Sequence, residues 1–183
     1  KNTDKDVIKD FGFEWKRFDQ SNQYFRSEES KIIFNKYFEI FPFDKINTNS
    51  IGMDFGCGSG RWSAFVAPKV AKLYCVDPSF EALEVAKKNL KGQKNCIFEH
   101  ATANEFSIDS ETMDFGYCLG VLHHVPDTQS ALDYCCQKLK KEAPFLLYLY
   151  YDLKNLFVFE LLSLIQLSFP YVEQLTFVPL SDV

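Results

Sequence analysis

Between residues 51 and 150 the chain alternates short apolar runs with amphipathic stretches. Ile51–Phe55 is apolar and opens straight into a glycine-rich loop, Gly56-Cys57-Gly58-Ser59-Gly60. Apolar runs of this length, bounded by turn residues, read as buried strands. Leu73–Val76, Cys96–Glu99, Met113–Leu119 and Phe145–Tyr150 repeat the pattern. Between them the periodicity turns helical. One helix is expected from Arg61 to Ala67, stopped by Pro68. A second runs from its N-cap Ser79 to Leu90, with Gly92 just past its end. A third starts at Asp127 or Thr128 and continues to about Lys140. Strands alternating with helices predict crossover units and a parallel sheet. The expected fold class is therefore α/β, a Rossmann-like, doubly wound, mostly parallel sheet.

The flanks differ from this centre. Residues 1–26 mix polar positions with Phe11, Phe13, Trp15, Phe18, Tyr24 and Phe25, and read as an aromatic N-terminal arm. Ser27 suits the cap of a helix to about Phe41, with Ile33, Tyr37, Ile40 and Phe41 on one face and Pro42 past it. Leu153–Phe169 looks helical and is apolar on more than one face, and 171–183 hold only a weak strand candidate, Leu175–Val178. Three parts result: the arm 1–26, a central domain 27–151, and 152–183 as an apolar helical lid or insertion, or a truncated end.

Composition narrows the function classes. A length of 183 residues suits one domain. With 46% apolar and 25% charged residues the chain is too apolar for a disordered one. The net charge of −5 argues against a binder of phosphate backbones, which carries a basic face. A small-molecule partner is expected, and no nucleic acid. Cysteines 57, 75, 96, 118, 135 and 136 form no CxxC pair and no zinc pattern, so no metal site is expected. Several lie in apolar runs, where a free Cys acts as a small hydrophobe. No signal peptide is seen, which with these cysteines suggests a reducing, cytoplasmic setting. The start at Lys1 suggests a trimmed or incomplete N-terminus. The best membrane candidate, Leu156–Phe169, is 14 residues long and contains Glu160 and Gln166. A spanning helix needs ~20 apolar residues, so no stable membrane insertion is expected.

The glycine loop carries the chemistry. Glycines let the backbone turn sharply and let a ligand approach closely. The helix that follows offers amides to a carboxylate or phosphate, and the loop lies where open α/β sheets bind ligands. Asp77 follows Gly56 by 21 positions and ends the next strand. A carboxylate there can accept hydrogen bonds from a ribose diol. Both features argue for a nucleoside ligand. The dinucleotide spacing G-x-G-x-x-G fails, because its third glycine falls on Arg61, and no Walker Gly-Lys-Ser is present.

With Asp54 inside the strand, the string Asp54 to Gly60 resembles the first motif of class I S-adenosylmethionine-dependent methyltransferases of the small-molecule type. Asp77-Pro78-Ser79 is similar to their ribose motif. Met113-Asp114-Phe115, followed by Leu119-Gly120-Val121-Leu122-His123-His124, is similar to their fourth strand and its continuation. The likeness covers roughly 50–151, and Phe11 to Trp15 resembles an arm preceding the domain in some members. The resemblance implies S-adenosylmethionine as cofactor and S-adenosylhomocysteine as product. It implies that Gly56, Cys57, Gly58 and Gly60 pass under the methionine part, and that Asp54 orients its ammonium through water. Asp77 would hold the ribose, with Pro78 beside the adenine and Thr102 and Ala103 along the adenine edge. Leu119 would offer its carbonyl to the ammonium. Trp15, with Phe11 and Phe13, would close over the sulfonium. The family often has Asp where Thr102 stands, so adenine N6 is left to the Thr hydroxyl or Asn104, or is bound more weakly. The cofactor carboxylate needs a cationic partner, and Arg17, Arg26 and Arg61 are the candidates.

Methyl transfer from a sulfonium is an in-line displacement in which the protein supplies positioning. A protonated acceptor also needs a base. His123 and His124, just after the fourth strand, are the candidates, with an unperturbed pKa of ~6.5; the alternative is that they only pack there. Enzymes acting on nucleobases or glutamine amides carry Asn/Asp-Pro-Pro-aromatic at this point. Leu119 to Leu122 departs from that and favours a small-molecule acceptor. The expected function is S-adenosylmethionine-dependent methyl transfer to a small molecule. The alternative is a cofactor-binding protein or partner subunit without turnover. Domains of this family usually end in a reversed strand hairpin. Either that hairpin is lacking, or residues 151–183 are a lid whose return strands lie further on. A truncated sheet would expose an edge and invite self-association.

Overall fold

A computed structural model of the chain describes residues 3–6, 8, 9 and 27–149. Five strands form one sheet: β1 (Ile51–Phe55), β2 (Lys72–Asp77), β3 (Cys96–His100), β4 (Phe115–Leu119) and β5 (Phe145–Tyr148). Their order is β3-β2-β1-β4-β5, and every pairing is parallel. The doubly wound α/β fold expected from the alternation is therefore the fold present. The chain winds outward from β1 through β2 to β3, then returns to the other side of β1 for β4 and β5. A crevice opens at such a reversal, beyond the carboxyl ends of the strands.

β4 and β5 are buried over nearly their whole length, as continuous apolar runs require when both sheet faces are covered. One face packs Met53, Phe55, Phe106, Leu122, Leu132 and Leu147. The other packs Phe34, Phe38, Leu73, Leu83, Phe115 and Tyr117. Phe34 stacks on Phe38 at 4.4 Å and on Phe65 at 4.6 Å.

Side-chain caps start three of the helices, as the sequence suggested. Ser27 Oγ accepts from Ser30 N at 3.1 Å and opens α1 (Glu28–Tyr37). That helix ends before Phe41, because Phe38 and Phe41 turn inward, and a 3₁₀ turn, Phe43–Lys45, follows Pro42. The expected 61–67 helix is one turn, α2 (Ser63–Val66), passing into a 3₁₀ turn, Ala67–Lys69, that contains Pro68. Proline is tolerated there because the amides of a first turn have no intrahelical partner to lose. Ser79 caps α3 (Phe80–Asn89), and Asp127 caps α4 (Thr128–Cys136). α4 stops short of Lys140, because Leu139 bridges Met113 and Lys140 Nζ donates to Asp114 Oδ1 at 2.7 Å. Asp114 Oδ2 accepts from Ile51 N, so the chain before β4 is fastened to β1, and β4 itself begins at Phe115. All six cysteines are free. No helix among the described residues is long and apolar enough to cross a membrane. The aromatic positions 11–25, the helix expected at 153–169 and the strand candidate at 175–178 lie outside the described residues.

Candidate functional site

The glycine loop makes a left-handed turn, with φ of 75° at Gly56, 52° at Gly58 and 77° at Gly60. Gly56 N and Cys57 N both donate to Val76 O, at 2.8 and 3.1 Å, which hangs the turn on the end of β2. A Cβ on Gly56 would stand 2.3 Å from Val121 Cγ2, so only glycine fits this close approach. Asp77 completes the turn. Its Oδ2 accepts from Gly58 N at 2.9 Å and its Oδ1 from Ser79 N at 2.8 Å. One amide per oxygen leaves each oxygen a further lone-pair direction. Burial raises the Asp77 carboxyl from 3.8 to about 6, against the two amide bonds and the nearby charge of His100.

A cavity of about 350 Å³ lies over this turn at the carboxyl end of the sheet. Gly56, Cys57, Gly58, Asp77, Pro78, Thr102, Ala103, Leu119 and His124 line it, and so does Arg61. Thr102 Oγ1 donates to Glu105 Oε2 at 2.8 Å, which leaves the Thr102 oxygen able to accept. Asn104 does not line the cavity; its Nδ2 donates to Ser130 Oγ at 3.0 Å. The Arg61 guanidinium lies 4.4 Å over the Trp62 ring.

Three expected site residues among the described ones, Asp54, Gly60 and His123, do not line the cavity. Asp54 is 2% exposed beneath the turn and accepts from Ser63 Oγ at 2.5 Å, joining β1 to α2. Its burial raises the carboxyl to about 7, opposed by the Ser63 and Tyr117 hydroxyls. Gly60 meets α3 instead, where a Cβ would come within 2.7 Å of Leu90 Cδ1. His123 sits in the 3₁₀ turn Leu122–His124, its ring 3.9 Å from that of His124. Burial takes His123 down to about 4 and His124 below the usual imidazole range. Trp15, like Arg17 and Arg26, lies outside the described residues.

The cavity also has walls the sequence did not announce as a site. Tyr37, Trp62 and Tyr148 line it, as do Thr3, Asp4 and Ile8 from the N-terminal turn. Tyr37 carried only a core-face signal on its helix, and Tyr148 only a strand signal. His100, at the end of β3, donates from Nε2 to Pro78 O at 2.9 Å, beside the ring of Phe80. No cluster that could hold a metal ion is present among the described residues.

A nucleoside sulfonium fits these residues. The Asp77 carboxylate has lone pairs left to accept from a diol, the glycine turn admits a close ligand, and Pro78 and Ala103 offer apolar flanks to a base. A parallel sheet in this order, with glycines at 56, 58 and 60 in the turn after β1 and an acid ending β2, is the arrangement of the class I S-adenosylmethionine-dependent methyltransferases. The comparisons agree at the level of sequence and fold. A protein named ubiquinone biosynthesis O-methyltransferase from Aromatoleum aromaticum is 36% identical over 91 residues, covering 48% of this chain and 38% of its own length. The uncharacterized methyltransferase YcgJ of Bacillus subtilis is 30% identical over 97 residues, covering 52% and 38%. The crystal structure of YcgJ superposes with a TM-score of 0.59 at 24% identity, covering 84% of this chain and 63% of that one. A SAM-dependent methyltransferase structure from Aquifex aeolicus gives 0.55 at 16% identity, covering 71% and 68%. The chain thus spans 38% of the length of these curated relatives. Residues 53–147 match the family described as methyltransferase domain, and the chain belongs to that family.

Proposed function

We propose that the chain transfers a methyl group from S-adenosylmethionine to a hydroxyl of a small molecule. The observation carrying this reading is Asp77, whose two oxygens each hold one amide of the glycine turn and its flank, within the cavity. When bound, the cofactor supplies a methyl group on an electrophilic sulfonium. Asp77 accepts from the ribose hydroxyls. Pro78 and Ala103 flank the adenine, and the Thr102 hydroxyl oxygen accepts from its amino group. The turn at Gly56, Cys57 and Gly58 carries the methionine part, and Leu119 offers its carbonyl to the ammonium. Arg61, which lines the cavity, takes the carboxylate in a forked pair. His124 is the base, because it lines the cavity and burial keeps its imidazole neutral near neutral pH. Asp54, Gly60 and His123 act through packing. The name of the Aromatoleum relative supports a hydroxyl acceptor, and the net charge of −5 supports a small molecule over nucleic acid.

Calorimetric titration with S-adenosylmethionine, S-adenosylhomocysteine and NAD tests the assignment. Binding of the first two and not the third is expected. Binding of NAD alone overturns it. Cofactor binding without turnover of any hydroxyl or amine acceptor would instead identify a non-catalytic binding subunit.

A further inference from the structure

We infer that Trp62 is a positioning residue for cofactor binding: its indole holds the Arg61 guanidinium in place for the amino-acid carboxylate. The inference rests on the reading that S-adenosylmethionine occupies the cavity, and it names what prepares Arg61 to meet it. Arg61 and Trp62 are both half-buried and both line the cavity. The guanidinium carbon stands 4.4 Å over the indole ring. At that distance the electron-rich face attracts the cation. The face offers no lone pair, so the contact itself consumes none of the guanidinium N–H donors. A guanidinium resting on a ring can therefore still fork to a carboxylate.

Trp62 is itself held from two directions. Its backbone leads into α2, where Trp62 O accepts from Phe65 N at 3.0 Å and from Val66 N at 3.3 Å. Its ring meets rings from α1 and the residue after it, Tyr37 at 4.8 Å, Phe38 at 6.2 Å and Phe34 at 6.4 Å. Aromatic contacts at these spacings are attractive and depend on ring orientation. With three of them meeting at one indole, few rotamers of Trp62 satisfy all. Arg61 follows Gly60, whose carbonyl accepts from Ala64 N at 3.0 Å. Backbone and ring together give the guanidinium a defined seat beside the glycine turn.

The energetic consequence is preorganisation. A long side chain that is loose in the empty protein loses rotamer freedom when a ligand fixes it, and that loss is subtracted from affinity. Arg61 seated on Trp62 has lost most of that freedom on folding. A lysine at this position would have no planar fork to lay on the ring. If the contact served only to cover the indole, losing the ring would weaken every ligand of the cavity alike, with or without a carboxylate.

Calorimetric titration tests this by comparing S-adenosylhomocysteine with its decarboxylated analogue, which keeps the adenosine, the thioether and the amine. The wild-type chain should prefer S-adenosylhomocysteine roughly tenfold or more. Trp62→Leu should cut that preference about 3- to 10-fold, through S-adenosylhomocysteine alone, with the affinity for the analogue unchanged. Trp62→Phe, which keeps an aromatic face, should restore most of it. In an Arg61→Leu chain, adding Trp62→Leu should bring no further loss. Arg61→Lys leaves the rings around Trp62 in place and should lower the preference in the same way, which keeps the inference testable if Trp62→Leu fails to fold. Equal weakening of both ligands by Trp62→Leu overturns the inference, as does the same loss in the Arg61→Leu chain or an unchanged preference in Arg61→Lys. A wild-type chain that binds both ligands equally overturns it while the cofactor reading stands. If neither ligand binds, the cofactor reading fails and this inference with it.

Discussion

Replacing Asp77 with Asn separates what this carboxylate does for binding from what it does to stability. The folded carboxyl titrates at about 6 instead of 3.8, a rise of two units that corresponds to about 3 kcal/mol. Because the folded value lies above the unfolded one, the native state holds the proton more tightly. The stabilisation is thus complete below about pH 4 and is lost as pH rises through about 6. Asp77→Asn removes that slope. It also leaves one of the two donors, Gly58 N or Ser79 N, facing an NH₂ group, at a cost of ~1–3 kcal/mol. The two effects nearly cancel at pH 8. The difference between variant and wild type should therefore move by about 3 kcal/mol in favour of the variant between pH 4 and pH 8. Urea denaturation at a series of pH values measures it, and all other titrating groups drop out of the difference. Ligand affinity should move the other way. Loss of a charged acceptor for the ribose hydroxyls costs about 1.5–3 kcal/mol, a roughly 10- to 150-fold weaker Kd for S-adenosylhomocysteine. Wild-type affinity should fall roughly tenfold from pH 7.5 to pH 5 as Asp77 takes up its proton, while the variant stays flat. A Kd within threefold of wild type, or stability curves that run parallel from pH 4 to pH 8, would refute this account of Asp77.

Three further outcomes are expected. Gly56→Ala should lower stability by about 2–5 kcal/mol, combining left-handed strain with overlap on Val121. Adding Val121→Ala should recover the overlap but not the strain, as read by thermal unfolding. His124→Asn should reduce kcat by ~10²–10⁴ while leaving the Kd of S-adenosylhomocysteine unchanged, and His123→Asn should keep most of the rate. Burial holds both imidazoles below their usual range, so kcat should be level above pH 7, and an acidic limb centred above 7 would contradict it. His100→Leu should weaken S-adenosylhomocysteine about 2- to 12-fold by releasing Pro78, with kcat unaltered and His100→Gln restoring part of the affinity.

Strands and caps were legible in the sequence because each is a local property. Ser27, Ser79 and Asp127 cap helices with their own side chains, and apolar runs bounded by turns marked all five strands. The glycine-turn end of the cavity was legible for the same reason, since the glycine turn and Asp77 stand in fixed order on adjacent strands. Helix ends were less so. α1 and α4 stop early because of contacts made far along the chain, such as Lys140 with Asp114. The aromatic wall is likewise a product of tertiary structure. Tyr37, Trp62 and Tyr148 come from a helix, a turn and a strand, and nothing in their spacing joins them. At Asp54 and His123 a motif position names a residue type but not its surroundings, and here neither residue lines the cavity.

Asp54 and Asp77 also explain why a chain would keep two acids where burial penalises their charge. Burial pushes both carboxyls upward, Asp54 to about 7 and Asp77 to about 6, and the charge of Asp77 adds to the cost of ionising Asp54. A sequence selected for the empty fold alone would replace them with apolar residues. Their positions at the ends of β1 and β2 give each a mechanical duty. Asp54 holds α2 through Ser63, and Asp77 holds the glycine turn through Gly58. A ligand that donates hydroxyls to Asp77 and brings a sulfonium and an ammonium near both carboxylates offsets the penalty that the empty site carries. Ligand at a hundred times its Kd stabilises the native state by about 2.7 kcal/mol, close to the burial cost at Asp77.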